Sequence, residues 1–305
     1  MSQDPRVALS QIRIVLVEPA GPLNVGSVAR VMKNFGLQHL VLVKPHCDPL
    51  GEEAMQMAVH AKDLLEAARI VADIPAALDG CYLAIATTAR PRDINTPLEL
   101  PEQALPALLH PIDNPQAGDQ PLSMGDRALI FGPEDRGLSN EELIHAQKFV
   151  KIPTDDRYSA LNLAQAVAVC CYELHRVSNL RLREFTELNP TDLEQKLANT
   201  LRTSPSSDKQ TESRLQKSNL QRESASTSVQ HQAQPPAQLN ELEGYYQHLE
   251  SVLLQVEYLY PHTAASRMRK IRQLLQRATP TSAEVALLRG MLRQVEWALS
   301  ESQKG

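Results

Sequence analysis

Cysteine is scarce in this chain, and the little present builds no framework: Cys47, Cys81, Cys170 and Cys171 form no C-x-x-C pair and lie mostly within apolar runs. That pattern argues against a disulfide scaffold and a thiolate metal site, and favours buried free thiols in a reducing cytoplasm. No apolar run approaches the roughly 18 residues needed to cross a bilayer, and the polar start, Met1 to Pro5, does not read as a signal peptide. We therefore expect no membrane association. Also missing are the dinucleotide fingerprint G-x-G-x-x-G, the phosphate loop G-x-x-x-x-G-K-[ST], the zinc motif H-E-x-x-H and the esterase elbow G-x-S-x-G. Nicotinamide, nucleoside triphosphate, zinc-hydrolase and serine-esterase chemistry have no residues to stand on, and no metal is expected. Overall positive charge is lacking too. A formal net charge of −5 weighs against an indiscriminate nucleic-acid binder.

What is present divides along the chain. At 305 residues it exceeds a typical domain of about 100 to 200 residues. Residues 1–185 read as a compact α/β domain, 186–238 as a helical extension and linker, and 239–305 as a small all-α domain. In the first, Ile12 to Glu18, His39 to Val43, Cys81 to Ala86, Arg127 to Phe131 and Lys148 to Ile152 are short apolar runs of buried-strand type. Between the first two, Val28, Val31, Met32 and Phe35 recur at helical spacing, with Asn24 as cap and Gly36 as stop. The strand, helix, strand order is that of a parallel sheet. A helix is expected over Glu52 to Ile70, and another opening at Ser159 or Leu161 and running through Arg176. From Thr203 to Gln238 the chain is crowded with Ser, Gln and Thr. It buries too little apolar surface to offset an ordering cost of about 1–2 kcal/mol per residue, so disorder is expected there. Leu239 to Val256, Ala264 to Arg277 and Ser282 to Leu299 then read as amphipathic helices.

Three short segments concentrate polar groups and glycines at strand ends, where open α/β sheets collect ligands. Asn24-x-Gly26-x-x-x-Arg30 sets an arginine beside a helix N-terminus and suits a phosphate or carboxylate, though a plain turn and cap would look similar. Phe131-Gly132-Pro133-Glu134-Asp135-Arg136-Gly137-Leu138 is a tight turn leading into a capping box of Ser139 and Glu142, which leaves Glu134 and Arg136 unexplained by structure alone. Tyr158-Ser159-Ala160-Leu161-Asn162-Leu163-Ala164 places Ser159 and Asn162 at a helix start. Near the C-terminus, His262 to Arg293 holds seven basic residues, among them Arg267, Arg269, Lys270 and Arg272, against the single acid Glu284. Such a face suits phosphate contact; a merely solvated helix surface is the alternative.

In this order and spacing the three segments resemble the signature motifs of the SpoU/TrmH branch of the SPOUT RNA ribose methyltransferases. The stretch Leu242 to Glu250 and the run Ser266 to Arg272 further resemble the C-terminal extension of the TrmJ-type tRNA methyltransferases. The resemblance implies a parallel sheet ending in a trefoil knot, a homodimer, and S-adenosyl-L-methionine bound by Thr87, Thr88, Ala89, Gly132, Ile152, Ser159, Ala160 and Leu161. It implies tRNA as partner, methylated on the ribose 2′-hydroxyl of the pyrimidine that opens the anticodon loop, with Arg90, Arg92 and the basic tail on its phosphates. Arg30, Asn24, Glu134 and Asn162 would be the catalytic group. The arginine matching Arg30 is described in this family as the general base, but a guanidinium has a pKa above about 12 and no acceptor. Arg30 is therefore expected to bind the adjacent phosphate and stabilise developing alkoxide, oriented by Glu134 and Asn24. Many relatives carry serine where this chain has Ala160, so a relay through that hydroxyl cannot operate. A ribosomal RNA or other tRNA position as target, and a non-catalytic RNA-binding role, are the alternatives.

Overall fold

The computed structural model describes residues 9–88, 97–109, 127–155, 157, 160–188 and 235–302. In chain order its elements are β1 (Ile12–Val17), α1 (Pro22–Asn34), β2 (His39–Val43), α2 (Glu52–Ala58), α3 (Lys62–Glu66), β3 (Arg69–Val71) and α4 (Ile74–Ala77). There follow β4 (Leu83–Thr87), β5 (Leu98–Glu99), α5 (Pro101–Ala104), a 3-10 turn (Leu105–Leu109), β6 (Arg127–Phe131), α6 (Asn140–Leu143), β7 (Lys148–Val150) and α7 (Leu163–Leu188). The C-terminal part adds α8 (Leu239–Gln255), α9 (Pro261–Ala278) and α10 (Ser282–Ser302).

The strands form one sheet in the order β3-β2-β1-β6-β4-β7-β5, parallel throughout. From β1 the chain winds outward through β2 and β3, then crosses to β4 on the far side of β6. That change of direction opens a crevice at the carboxyl ends of the central strands, the usual ligand position in such sheets. Alternation along β1 divides the core. Ile12, Ile14 and Leu16 face α1 and α7, burying Val28, Met32, Val167 and Leu174, whereas Val15 and Val17 face the opposite layer.

That second layer includes the C-terminal helices. Leu239, Leu242, Tyr245, Tyr246 and Met268 share one buried cluster with Val15, Val41, Ala84 and Ile130. Polar contacts tie the same seam: Leu239 N–H donates to Cys81 O at 2.8 Å, and Gln276 Nε2 to Ile144 O at 3.1 Å. The three tail helices thus complete the sheet's core.

Three sequence expectations need correction. The helix expected over Glu52 to Ile70 breaks at Val59, whose φ is +53, and Ile70 belongs to the edge strand β3, paired with β2. Helix α1 begins at Pro22, a residue suited to the first turn because it has no N–H to satisfy, with Gly21 as its cap. Asn24 is therefore inside the helix, its amide free for other work. Helix α7 begins at Leu163 and is capped by Asn162, whose Oδ1 accepts the Ala164 N–H at 2.9 Å. Apart from residues 235–238, the Ser/Gln-rich stretch lies outside the described residues.

Candidate active site

Asn24, Glu134 and Asn162, more than a hundred residues apart in two of their three pairings, meet as one hydrogen-bonded chain. Asn24 Nδ2 donates to Glu134 Oε1 at 2.8 Å, and Asn162 Nδ2 donates to Asn24 Oδ1 at 2.9 Å. Glu134 also accepts the N–H groups of Ala20 at 3.1 Å and Gly21 at 3.3 Å. Burial pushes its carboxyl up, but the bonds from Asn24 and from the Ala20 and Gly21 N–H groups outweigh that and hold it below the usual carboxylate range. Of the phosphate or carboxylate that the start of α1 was expected to suit, it takes a carboxylate of the protein's own, Glu134.

Removing Asn162 breaks two bonds together, its cap to Ala164 and its donation to Asn24. We expect Asn162→Ala to cost about 1–2 kcal/mol. The cycle of Asn24→Ala with Asn162→Ala should show a coupling of about 0.5 kcal/mol or more in denaturant melts; strict additivity would mean that the pair is not coupled.

The glycines serve packing more directly than ligand approach. A Cβ on Gly132 would lie 2.3 Å from Leu138 N and 2.5 Å from Gly137 C, because the loop after β6 folds back on itself, with Gly137 at φ +65. A Cβ on Gly26 would lie 2.2 Å from Ala54 O, so Gly26 lets α2 press against α1. Arg136, unexplained by the sequence, anchors the same loop. Its guanidinium donates to both Glu142 oxygens at 2.8 and 2.9 Å and to Glu18 Oε2 at 2.7 Å, joining the loop to the end of β1 and to the capping box of α6. The two carboxylates hold its pKa above the ordinary arginine value.

Between this loop and the segment before α7 lies a pocket at the carboxyl ends of β4, β6 and β7. Its wall includes Thr87, Thr88, Gly132, Ile152, Ala160 and Leu161, all expected from the sequence as cofactor-binding. Phe131, Arg136, Leu163 and Ala166, which were not among the residues expected to bind the cofactor, also line it. Phe131 and Leu163 lie within the signature segments, and the helical repeat of α7 was the signal for Ala166. Ala89, Arg90, Arg92 and Ser159 lie outside the described residues.

Arg30 stands apart from this cluster. It is exposed on α1, is absent from the pocket wall, and makes no hydrogen bond or ion pair with another described residue. The expectation that Glu134 and Asn24 hold it is corrected: within one chain they hold each other. Of the tail residues, Arg267 and Lys270 are exposed and Arg269 is half-buried. Arg272 is not on the exposed basic face. Only 7% exposed, it forms a bidentate pair with Glu243, with Nη2 to Oε1 at 2.9 Å, and its Cζ lies 4.4 Å from the centre of the Tyr246 ring. Among the described residues no group of His, Cys, Asp or Glu is arranged to hold a metal, and no helix is long and apolar enough to cross a membrane.

Known proteins resemble this chain in both its sheet domain and its helical tail. Residues 11–172 match the model of the SpoU rRNA Methylase family, and residues 240–304 that of the tRNA methyltransferase TrmJ, C-terminal domain. The chain is 35% identical over 288 residues to the tRNA (cytidine/uridine/adenosine-2′-O-)-methyltransferase TrmJ of Pseudomonas aeruginosa strain UCBPP-PA14, covering 94% of this chain and 95% of that one. It is 33% identical to the tRNA (cytidine/uridine-2′-O-)-methyltransferase TrmJ of Pectobacterium atrosepticum, covering 94% and 98%. Among solved structures, TrmJ from Z. mobilis ZM4 superposes with a TM-score of 0.66 at 27% identity, covering 93% of this chain and 98% of that one. Matched in its sheet domain, its helical tail and nearly its whole length, the chain belongs to the SpoU family of RNA methylases, among the members that carry the TrmJ C-terminal domain.

Proposed function

We propose that this protein transfers a methyl group from S-adenosyl-L-methionine to the ribose 2′-hydroxyl of a tRNA nucleotide, the pyrimidine that opens the anticodon loop. The observation that carries the reading is the chain Glu134, Asn24, Asn162, which joins all three signature segments beside one pocket. The names of the relatives support tRNA and the 2′-oxygen, and one of them includes adenosine. A base range that varies between relatives of one architecture suggests that the shared machinery addresses the sugar and its phosphate.

The family implies the methyl donor, which when bound supplies the electrophilic methyl. Thr87, Thr88, Gly132, Ile152, Ala160 and Leu161 would hold it, with Gly132 and Ala160 leaving room for close approach of backbone and Ile152 and Leu161 supplying apolar wall. Glu134 and Asn24 keep the loop after β6 against the start of α1, so the wall is set before the donor enters. Arg30 binds the phosphate next to the target and steadies the oxygen as negative charge develops. With no acceptor on the guanidinium, the hydroxyl proton goes to water.

The outward position of Arg30 accords with an active site completed by a second copy, and a homodimer is part of the proposal. Exposed apolar residues on neighbouring helices support it: Leu23 of α1 is 51% exposed, and Val169, Tyr172 and Leu180 of α7 are 39%, 56% and 45%. The threaded chain path around Gly132 and Asn162 and a cytoplasmic location complete the reading.

Mapping 2′-O-methyl groups in tRNA from cells with and without the gene tests the activity; unchanged methylation would reject it. Arg30→Ala is expected to lower kcat by about 10²–10³-fold with uptake of the methyl donor intact. Near-normal turnover on saturating tRNA would remove Arg30 from catalysis.

A further inference from the structure

Two of the four tyrosines in the described tail are inside the core and two are not. Tyr245 and Tyr246 are 6% and 3% exposed, whereas Tyr258 and Tyr260, in the turn between α8 and α9, are 58% and 50% exposed. The turn is built to present them. Glu257 adopts a φ of +57, and Leu259, only 1% exposed, plugs into the core with its N–H on Leu253 O at 2.9 Å. A residue pinned inward throws both its neighbours outward. Tyr260 O is fixed in turn by the Thr263 N–H at 2.8 Å, which sets the start of α9.

Each ring has a neighbour set against it. Arg267 donates to Tyr258 O at 2.8 Å and holds its Cζ 5.6 Å from the centre of that ring. His262 stacks on Tyr260 with ring centres 6.0 Å apart and an interplanar angle of 22°. Lys270 is exposed one turn further along α9, and Glu257 is the acid in the turn. With Arg267 and His262 each set against one side, the remaining exposed ring surface of Tyr258 and Tyr260, beside the charges of Arg267 and Lys270, fits a planar ring that carries an anion next to it. A phosphate alone would need the cations but not the rings, and a duplex hides the faces of its bases.

Resting on the reading that the substrate is tRNA, we propose that Tyr258 and Tyr260 form a stacking platform for an unpaired nucleobase of that tRNA, with Arg267 and Lys270 on the flanking phosphates. Stacking on an aromatic ring tolerates any base, so the platform adds affinity without adding sequence preference. The flanking cations supply the salt-sensitive part of the contact.

The test is binding of labelled tRNA to the full chain, by fluorescence anisotropy at two salt concentrations, with sedimentation of the protein alone. Tyr258→Ala with Tyr260→Ala should raise Kd about tenfold to a hundredfold and leave its salt dependence unchanged. The corresponding Phe pair should bind within about twofold of the unaltered chain, and the Leu pair should behave like the Ala pair, since stacking needs the π-face. Arg267→Ala with Lys270→Ala should flatten the salt dependence. An Ala pair or a Leu pair that binds like the unaltered chain overturns the platform, as does a change of sedimentation with tRNA affinity intact, which would mark a contact between copies. If the unaltered chain methylates tRNA while the Ala pair binds normally, the platform alone falls; if the unaltered chain binds no tRNA, the functional reading falls with it.

Discussion

Gly132→Ala is expected to abolish measurable uptake of S-adenosyl-L-methionine, with an affinity loss of more than about a hundredfold. The added methyl would meet Leu138 N at 2.3 Å and Gly137 C at 2.5 Å, and both are backbone atoms, so no side chain can swing aside. Relief requires the loop from Gly132 to Leu138 to open. That loop carries Glu134, which holds Asn24 and the start of α1, and Arg136, which holds Glu18 and Glu142. Opening it therefore disturbs the pocket wall and the relay to Asn162 together. Overpacking of this kind costs about 1–3 kcal/mol even where neighbours can adjust. Calorimetry with the pure variant decides the matter: donor affinity like that of the unaltered chain would show that the loop is free to rearrange.

Truncation of Arg272 should have the largest effect on stability. Arg272→Ala leaves the Glu243 carboxylate in the seam between α8 and α9, where its side chain is 16% exposed, and an uncompensated buried charge costs about 3–5 kcal/mol. The Tyr246 ring loses its cation at the same time. Replacing both partners with apolar residues, Arg272→Met with Glu243→Leu, should recover most of the loss, because then no charge is left unpaired. Thermal melts and denaturant midpoints measure both variants. Equal destabilisation by the single and double replacements would refute the charge argument.

Acid should loosen the same seam. Burial pushes the Glu243 carboxyl up, but the bonds from Arg272 prevail and hold it below the usual range, so the folded form binds its proton later than the unfolded chain. Its contribution is present above the unfolded pKa of about 4.3 and is lost as pH falls through the lower folded value. Burial lowers the pKa of His145, 3.7 Å from Glu243, so its share begins to fade as pH drops below about 6.5. Both groups act in the same direction. Stability should decline from about pH 6.5 downward, and the decline should be shallower in the Arg272→Met with Glu243→Leu variant.

Much of the fold was legible because its signals are local. Five apolar runs with strand character and the helical spacing in α1 and α7 follow from burial on one or both faces, which fixes side-chain periodicity wherever an element sits. The edges were not legible. Strands β3 and β5 have three and two residues, too few for any period, and they exist because β2 and β7 offer an open side. The helix expected over Glu52 to Ile70 failed twice, at the positive-φ break of Val59 and at its end, which pairing with β2 claimed.

For the site, the residue types and their order pointed to the chemistry, because glycine at tight turns and asparagine at helix starts are demands of local geometry. Their partners were another matter. Only the folded chain shows that Asn24 caps nothing and instead bridges Glu134 and Asn162, that Glu134 fills the anion position at the start of α1, and that Arg272 leaves the basic face for Glu243. A sequence specifies charge, size and backbone freedom residue by residue. Which opposite charge lies within reach is settled by the sheet order and by the docking of the tail onto the sheet, where long-range burial outweighs local preference.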